Sequence, residues 1–317
     1  MTDLVTFGET MLRLSPPSGR RLSRTENLDV HVGGAESNVA VAASNLGLDA
    51  AWLSLLPRTP LGERVVHALR GEGVEPVVTW TETGRVGTYY VERGVKPRAS
   101  TVVYDRADAP IRAATPDDLP LARVRAAAAF HTSGIAAALS DRAARTTAEL
   151  LRTAREAGVR TSFDVNYRAK LWDADDARAT LVDLLDDVDV LFVAERDARD
   201  VFGHEGAPEA VARAFERRHG FETVVLTRGD EGALAVHEGT VHEQPALEVD
   251  TVDPIGSGDA FVGGYLAARF DGETVPTSLA RGAATAGLKR TVEGDAAVVS
   301  PADVAAVLAD EGSTRER

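Results

Sequence analysis

Cysteine is absent from this chain of 317 residues, so disulfides and thiolate metal sites are excluded. Lysine is nearly absent as well. Lys96, Lys170 and Lys289 are the whole set, and arginine supplies the rest of the 35 basic side chains. Against these stand 49 acidic residues, for a formal net charge of −14. Such a deficit of positive charge argues against nucleic-acid or anionic-membrane partners, which require basic faces. The acidic, lysine-poor balance is accounted for equally well by a salt-rich cytoplasm or by GC-rich coding. Nowhere do about 18 apolar residues run together, so no membrane-spanning helix is expected. The opening MTDLVTFGET carries Asp3 and Glu9, with no basic region before them and no signal-length apolar core after. A cytoplasmic location is expected.

Familiar nucleotide and metal patterns are also missing. No G-x-x-x-x-G-K-[ST] occurs, which excludes a P-loop, and no G-x-G-x-x-G follows the first strand, which weighs against dinucleotide binding. His237-Glu238 and His242 resemble a zinc motif, but the second histidine lies five residues on, not four, in a predicted hairpin.

What is present is an alternation of strands and helices. LVTFGE (4–9), AWLSLL (51–56), AFHTSGI (129–135), RTSFDVNYR (160–168), VLFVAE (190–195) and TVVLTRG (223–229) read as strands. Helical spacing falls between them over 61–73, 141–158, 176–188 and 209–220. In GGAESNVAVAASNLGL, the apolar residues from Val39 to Leu46 have helical spacing, with Ser37 or Asn38 as cap and Gly47 as stop. ALAVHEG and TVHEQPA suggest a hairpin. A last helical region runs from Gly258 to about Val307, broken at Pro276 and near Gly294. This rhythm predicts an α/β fold with a mostly parallel sheet flanked by helices, and ligands beyond the carboxyl ends of its strands. Two β-rich stretches, near 10–33 and 85–112, do not fit. VGTYYVERG and STVVYDRA alternate and are rich in β-branched and aromatic residues. They predict a small β-sheet lid inserted into one domain spanning 1–317.

The stretch VDTVDPIGSGDAFVGGYL (249–266) places glycines and a carboxylate at the mouth of a helix. A helix N-terminus offers unpaired N–H groups and partial positive charge, and glycine lets that backbone approach an anion closely. Gly256, Ser257 and Gly258 therefore suggest an anion pocket. Asp259, in the first turn, could accept a proton from a hydroxyl attacking a phosphoryl group. Taken alone, the segment is equally an ordinary capped helix start.

VGGAESNVAVAASNLG (32–47) and DTVDPIGSGDAFVGGYL (250–266) together resemble the two signatures of ribokinase-like (pfkB) carbohydrate kinases. The early FGE, the D-x-N-x-R of DVNYR (164–168), VVLTRGDEGA (224–233) and a late alanine-rich helix ending at Gly294 extend the likeness over nearly the full length. The resemblance implies a large α/β domain with a β-sheet lid, transferring a phosphoryl group from ATP to a sugar hydroxyl with Mg2+. It implies Asp259 as catalytic base, with Gly256, Ser257 and Gly258 as the anion hole. Gly33, Gly34 and Asn38 fall where the sugar approaches. Asn166, Arg168, Thr227, Arg228, Gly229 and Gly232, with Gly256 and Gly258, fall on the nucleotide side. The family's N-x-x-E is replaced by Ala194-Glu195-Arg196-Asp197, which leaves Glu195 and Asp197 as metal contacts through water.

Within that family, GTYYVERG and VVYDRAD are similar to the substrate-facing lid strands of 2-keto-3-deoxygluconate kinases. The likeness implies that Tyr89, Tyr104, Arg106, Arg168 and Asp295 hold an open-chain sugar acid, gluconate-type or its galactonate epimer. A carboxylate pairs well with arginine. A neutral-sugar kinase and a non-catalytic sugar-binding regulator are the competing readings. Exposed lid edges suggest a homo-oligomer, a dimer through the lids or a higher assembly.

Overall fold

The computed structural model describes residues 2–315, with side chains as far as Asp310. Its strands are β1 (Leu4–Phe7), β2 (Met11–Ser15), β3 (Asp29–Gly33), β4 (Ala50–Pro57), β5 (Glu75–Thr81), β6 (Thr88–Glu92), β7 (Thr101–Asp105), β8 (Ala129–Ser133), β9 (Arg160–Asp164), β10 (Val190–Ala194), β11 (Thr223–Thr227), β12 (Ala233–His237) and β13 (Thr240–Gln244). Nine of them form one sheet in the order β13-β12-β11-β10-β9-β8-β1-β4-β5. All neighbours are parallel except at β12, which runs antiparallel to both β11 and β13.

Burial explains why these segments are strands. β1, β4 and β8 are covered on both faces; β1 and β4 read as nearly continuous apolar runs, while β8 buries His131, Thr132 and Ser133 at its carboxyl end. On one side, Phe7, Phe130 and Phe163 pack with Leu150, Leu181 and Phe215 from the helices Asp141–Glu156, Ala174–Leu185 and Pro208–His219. On the other, Phe192 meets Phe261, Tyr265 and Leu279 from the helices Ser257–Phe270 and Val275–Arg290. Each such fully buried large side chain contributes about 1.5–3 kcal/mol relative to exposure.

From β1 the chain winds outward through β4 to β5. It then returns to the other side of β1 and winds the opposite way through β8, β9, β10 and β11. The winding reverses between β1 and β8. At that switch point a crevice opens beyond the strands' carboxyl ends.

Local departures from the sequence reading have clear causes. β5 extends the main sheet beside β4, although its alternating EPVVTWT blends into the β-rich stretch that follows. The helix predicted from Val39 begins at Ala35 with Gly34 as an extended cap. Neither Ser37 nor Asn38 caps it: the Ser37 hydroxyl donates to the Gly34 carbonyl, and the Asn38 amide donates to Asp259. The break expected at Pro276 falls at 271–274, and Pro276 itself sits in the first turn of the next helix, Val275–Arg290. β9 ends at Asp164, short of Arg168, and Asn166 adopts φ +40°.

The other four strands form a smaller sheet in the order β3-β2-β6-β7. β2 pairs parallel with β6, and the outer pairs are antiparallel. Register places His31, Arg13, Tyr89 and Tyr104 in one row across its inner face. Val30, Leu14, Tyr90 and Val103 form a row on the opposite face. Beyond β7 the chain rejoins the large core, where Ile111 and Ala114 are buried.

Candidate active site

The helix Ser257–Phe270 opens on Gly256, whose φ of +81° suits glycine alone among residues without strain. A side chain at Gly256 would collide with the Asp295 carbonyl oxygen. Beside Gly258, by contrast, there is open space. That space is a cavity of about 580 Å³, walled by Ser257 and Gly258 and by Thr227, Arg228, Gly229 and Gly232 from the turn after β11. The two segments that the sequence linked to phosphate and nucleotide thus meet at one cavity. Arg196, Arg199 and Arg290 add positive charge to its wall, while Leu247, Phe261 and Ala283 make it partly apolar. Such a lining suits a ligand with a flat apolar part and a polyanionic tail.

Asp259 follows at the switch-point crevice. Its Oδ2 accepts from Asn38 Nδ2 at 2.8 Å. Burial pushes its carboxyl up to about 6, against the opposing pull of hydrogen bonds from Asn38 and Asn166 and of the Arg168 charge. Two further carboxyls share the crevice. Asp164 is pushed up to about 8 by burial and then by the charges of Asp259 and Asp197. Glu36 is raised to about 7 by burial, although the Ser133 hydroxyl donates to it at 2.5 Å. Near neutrality Asp259 is the one of these three most readily ionised, and so the one suited to accept a proton.

The small sheet supplies the facing wall. Tyr89 stacks on Tyr104 with ring centroids 5.9 Å apart and donates to Asp295. Arg106 is buried 5.6 Å over the Tyr104 ring. It forms an ion pair with Glu9, while its Nε has no hydrogen-bond partner among the described residues. Burial raises the Glu9 carboxyl, and Arg106 holds it partly back. Gly33 lies against the Asp295 side chain and Gly34 against the Glu9 backbone, so both are glycines of close approach.

Some sequence-derived residues fall elsewhere. Asn166 and Arg168 stand beside Asp259 and do not line the nucleotide-side cavity. Glu195 lines that cavity, whereas Asp197 is buried and accepts from the Tyr167 N–H at 3.1 Å and from Arg196 Nε at 3.2 Å. Among the described residues no group of three or more His, Asp or Glu could cage a metal. The cavity-facing carboxylates of Glu195 and Asp230 still fit Mg2+, which keeps several waters and binds through phosphates. Glu9, Arg13, Glu36, Asp164, Asp253 and Lys289 escaped the sequence reading. Glu9, Glu36, Asp164 and Asp253 sat inside quoted motifs, but nothing local to Arg13 and Lys289 marks them as buried.

A glycine anion loop at a helix mouth, a buried carboxylate behind it and a sheet edge facing both define a sugar phosphotransferase of α/β fold. Residues 1–302 match the pfkB family of carbohydrate kinases, and the chain belongs to that family. It is 56% identical over 306 residues, 96% of each chain, to the 2-dehydro-3-deoxygalactonokinase of Haloferax volcanii. It is 31% identical to the 2-dehydro-3-deoxygluconokinase of Thermoproteus tenax, over 97% of this chain and 94% of that one. The crystal structure of 2-dehydro-3-deoxygluconokinase from Thermotoga maritima superposes with a TM-score of 0.92 at 34% identity, covering 97% of this chain and 98% of that one.

Proposed function

We propose that this kinase phosphorylates a 2-keto-3-deoxy sugar acid, the gluconate form or its galactonate epimer, with ATP, to give the 6-phospho acid. The observation that carries the reading is Arg106, a buried arginine just past β7 that lies over the Tyr104 ring and has an unused N–H. A neutral sugar would leave that donor unpaired, whereas a substrate carboxylate satisfies it. Tyr89 and Tyr104 orient the open chain beside it, and Gly33 and Gly34 let the sugar approach backbone. Asp259 accepts the proton of the attacking hydroxyl, and the amides of Gly256, Ser257 and Gly258 stabilise charge on the transferred group. Thr227, Arg228, Gly229 and Gly232 hold the nucleotide. Bound Mg2+ would neutralise the phosphates, with Glu195 as its water-mediated partner. The small sheet acts as the lid of a single kinase domain, and its outer apolar row pairs two subunits.

The deciding experiment compares kcat/KM for 2-keto-3-deoxygluconate, 2-keto-3-deoxygalactonate and fructose with ATP and Mg2+. Either sugar acid should exceed fructose by at least about tenfold, the discrimination expected of one unsatisfied charged donor. Fructose as the better substrate would replace this reading with a neutral-sugar kinase.

A further inference from the structure

Four charged side chains lie buried together behind the anion loop: Arg13, Asp253, Lys289 and Asp295. They come from β2, from the approach to the loop, from the helix Val275–Arg290 and from the segment after Gly294. Two buried cations face two buried anions, and the less deeply buried Arg93 approaches Asp253 Oδ2 at 3.9 Å from the rim while pairing with Glu293 at 2.6 Å. Arg13 spans both carboxylates, at 2.7 Å to Asp253 and 2.9 Å to Asp295, and its Nε donates to Ser15 at 3.0 Å. Lys289 Nζ donates to the carbonyls of Asp253 at 3.1 Å and Val292 at 3.3 Å.

Each carboxylate then reaches a working part of the site. Asp253 accepts from the Ile255 N–H at 3.2 Å through Oδ1 and from the Gly294 N–H at 3.3 Å through Oδ2. Ile255, the residue before Gly256, packs against Met11, Tyr89 and Val91 of the small sheet. Asp295 accepts from Tyr89, touches Gly33, and presents its carbonyl oxygen to Gly256. Burying four charges is costly, and a well-packed apolar set often does as well for stability alone. None of the four lines the nucleotide-side cavity.

We propose that Arg13 and Asp253 are positioning residues for phosphoryl transfer, forming with Lys289 and Asp295 a strut that fixes the anion loop relative to the small sheet. Arg13 carries the position of β2 to Asp253, and Asp253 sets the Ile255–Gly258 backbone through its hydrogen bond. The hydroxyl held by the sheet and the amides that receive the phosphoryl group are thereby kept in register.

The inference rests on the kinase reading, and the test separates the two by using one readout that needs no turnover. Arg13→Met, Asp253→Asn and the double variant are compared with the parent by kcat, by Tm and by hydrogen exchange at the Ile255, Ser257 and Gly258 amides. Each single variant strands a buried charge and should lower Tm, whereas the double variant leaves one buried cation facing one buried anion and should recover most of it. The strut predicts that kcat stays about 10- to 100-fold down in the double variant, as small misplacements of reacting groups do. Exchange at the three loop amides should rise while the helix Pro208–His219 stays protected. Affinity for a non-hydrolysable ATP analogue should fall less than kcat does, because the Thr227, Arg228, Gly229 and Gly232 side of the cavity keeps its contacts while the Ser257 and Gly258 side loosens. A double variant with parent kcat and parent loop exchange overturns the inference and makes the cluster merely structural. Should the double variant fail to fold, Arg13→Lys decides. It keeps the charge but cannot span two carboxylates, so kcat should fall several-fold with loop exchange raised. Parent values for that variant overturn the inference too. A parent without sugar-acid turnover counts against the proposed function alone, and loop exchange still tests the strut.

Discussion

At the scale of single residues, the site is governed by what burial does to carboxyls. Asp259 titrates at about 6, raised by burial and held back by Asn38, Asn166 and Arg168. A base must be ionised to work, so kcat/KM should fall as pH drops through about 6 and level off above it. Asp259→Asn should lower kcat by about 10²–10⁴-fold, the usual loss of general-base help. Sugar affinity measured by calorimetry should change little, and near-parent kcat would remove Asp259 from this role. Asp164 titrates at about 8, pushed up by burial. The folded chain therefore keeps a proton there that the unfolded chain releases near its ordinary value of about 4. The stability this provides is complete below about pH 4 and lost as pH rises through the folded value. Asp164→Asn should thus raise Tm strongly at pH 9 and least at pH 4 and below, where the buried carboxyl is protonated in the folded and unfolded chain alike. Equal changes at both pH values would contradict the buried, protonated state.

At the scale of elements, the start of the helix Ser257–Phe270 separates a structural glycine from a functional one. Gly256 has positive φ and Asp295 packed against it, so Gly256→Ala should lower Tm and activity together. Gly258 has helical backbone and only open cavity beside it. Gly258→Ala should preserve Tm, or raise it slightly through helix propensity. The same methyl group enters the cavity wall, so KM for ATP should rise. Thermal melts and ATP titrations of the pair check both statements. A parent-like KM in Gly258→Ala would move the phosphates elsewhere. Elements of this kind were legible in sequence because their residues are contiguous and their geometry is local. The pairing of β6 with β7 was legible for the same reason, through alternation over a short connection. Where reading failed, a distant partner decided. The Asn38 side chain looks like a helix cap until Asp259 claims it, and β5 is missed as a strand of the main sheet until β4 pairs with it.

At the scale of the whole molecule, two sheets meet at the crevice, and the small sheet also offers its other face. Val30, Leu14, Tyr90 and Val103 cross it in one row, and Val103 is 51% exposed at an edge strand. If this row pairs two subunits, Val103→Glu should shift the mass measured by sedimentation from dimer to monomer while the protein stays folded. An unchanged mass would place the contact, if any, on another surface. The sequence by itself determined the strand and helix rhythm, the glycine turn at 256–258 that opens a helix, and Asp259 in its first turn. Each of these depends on neighbours along the chain, where alternation, capping and glycine torsions act. Only the tertiary structure decided that Glu9 holds Arg106, that Arg13 bridges Asp253 and Asp295, and that Lys289 closes the cluster. Those partners lie up to 282 positions apart. Charges so placed find one another only when folding removes them from water, and no local pattern records that meeting.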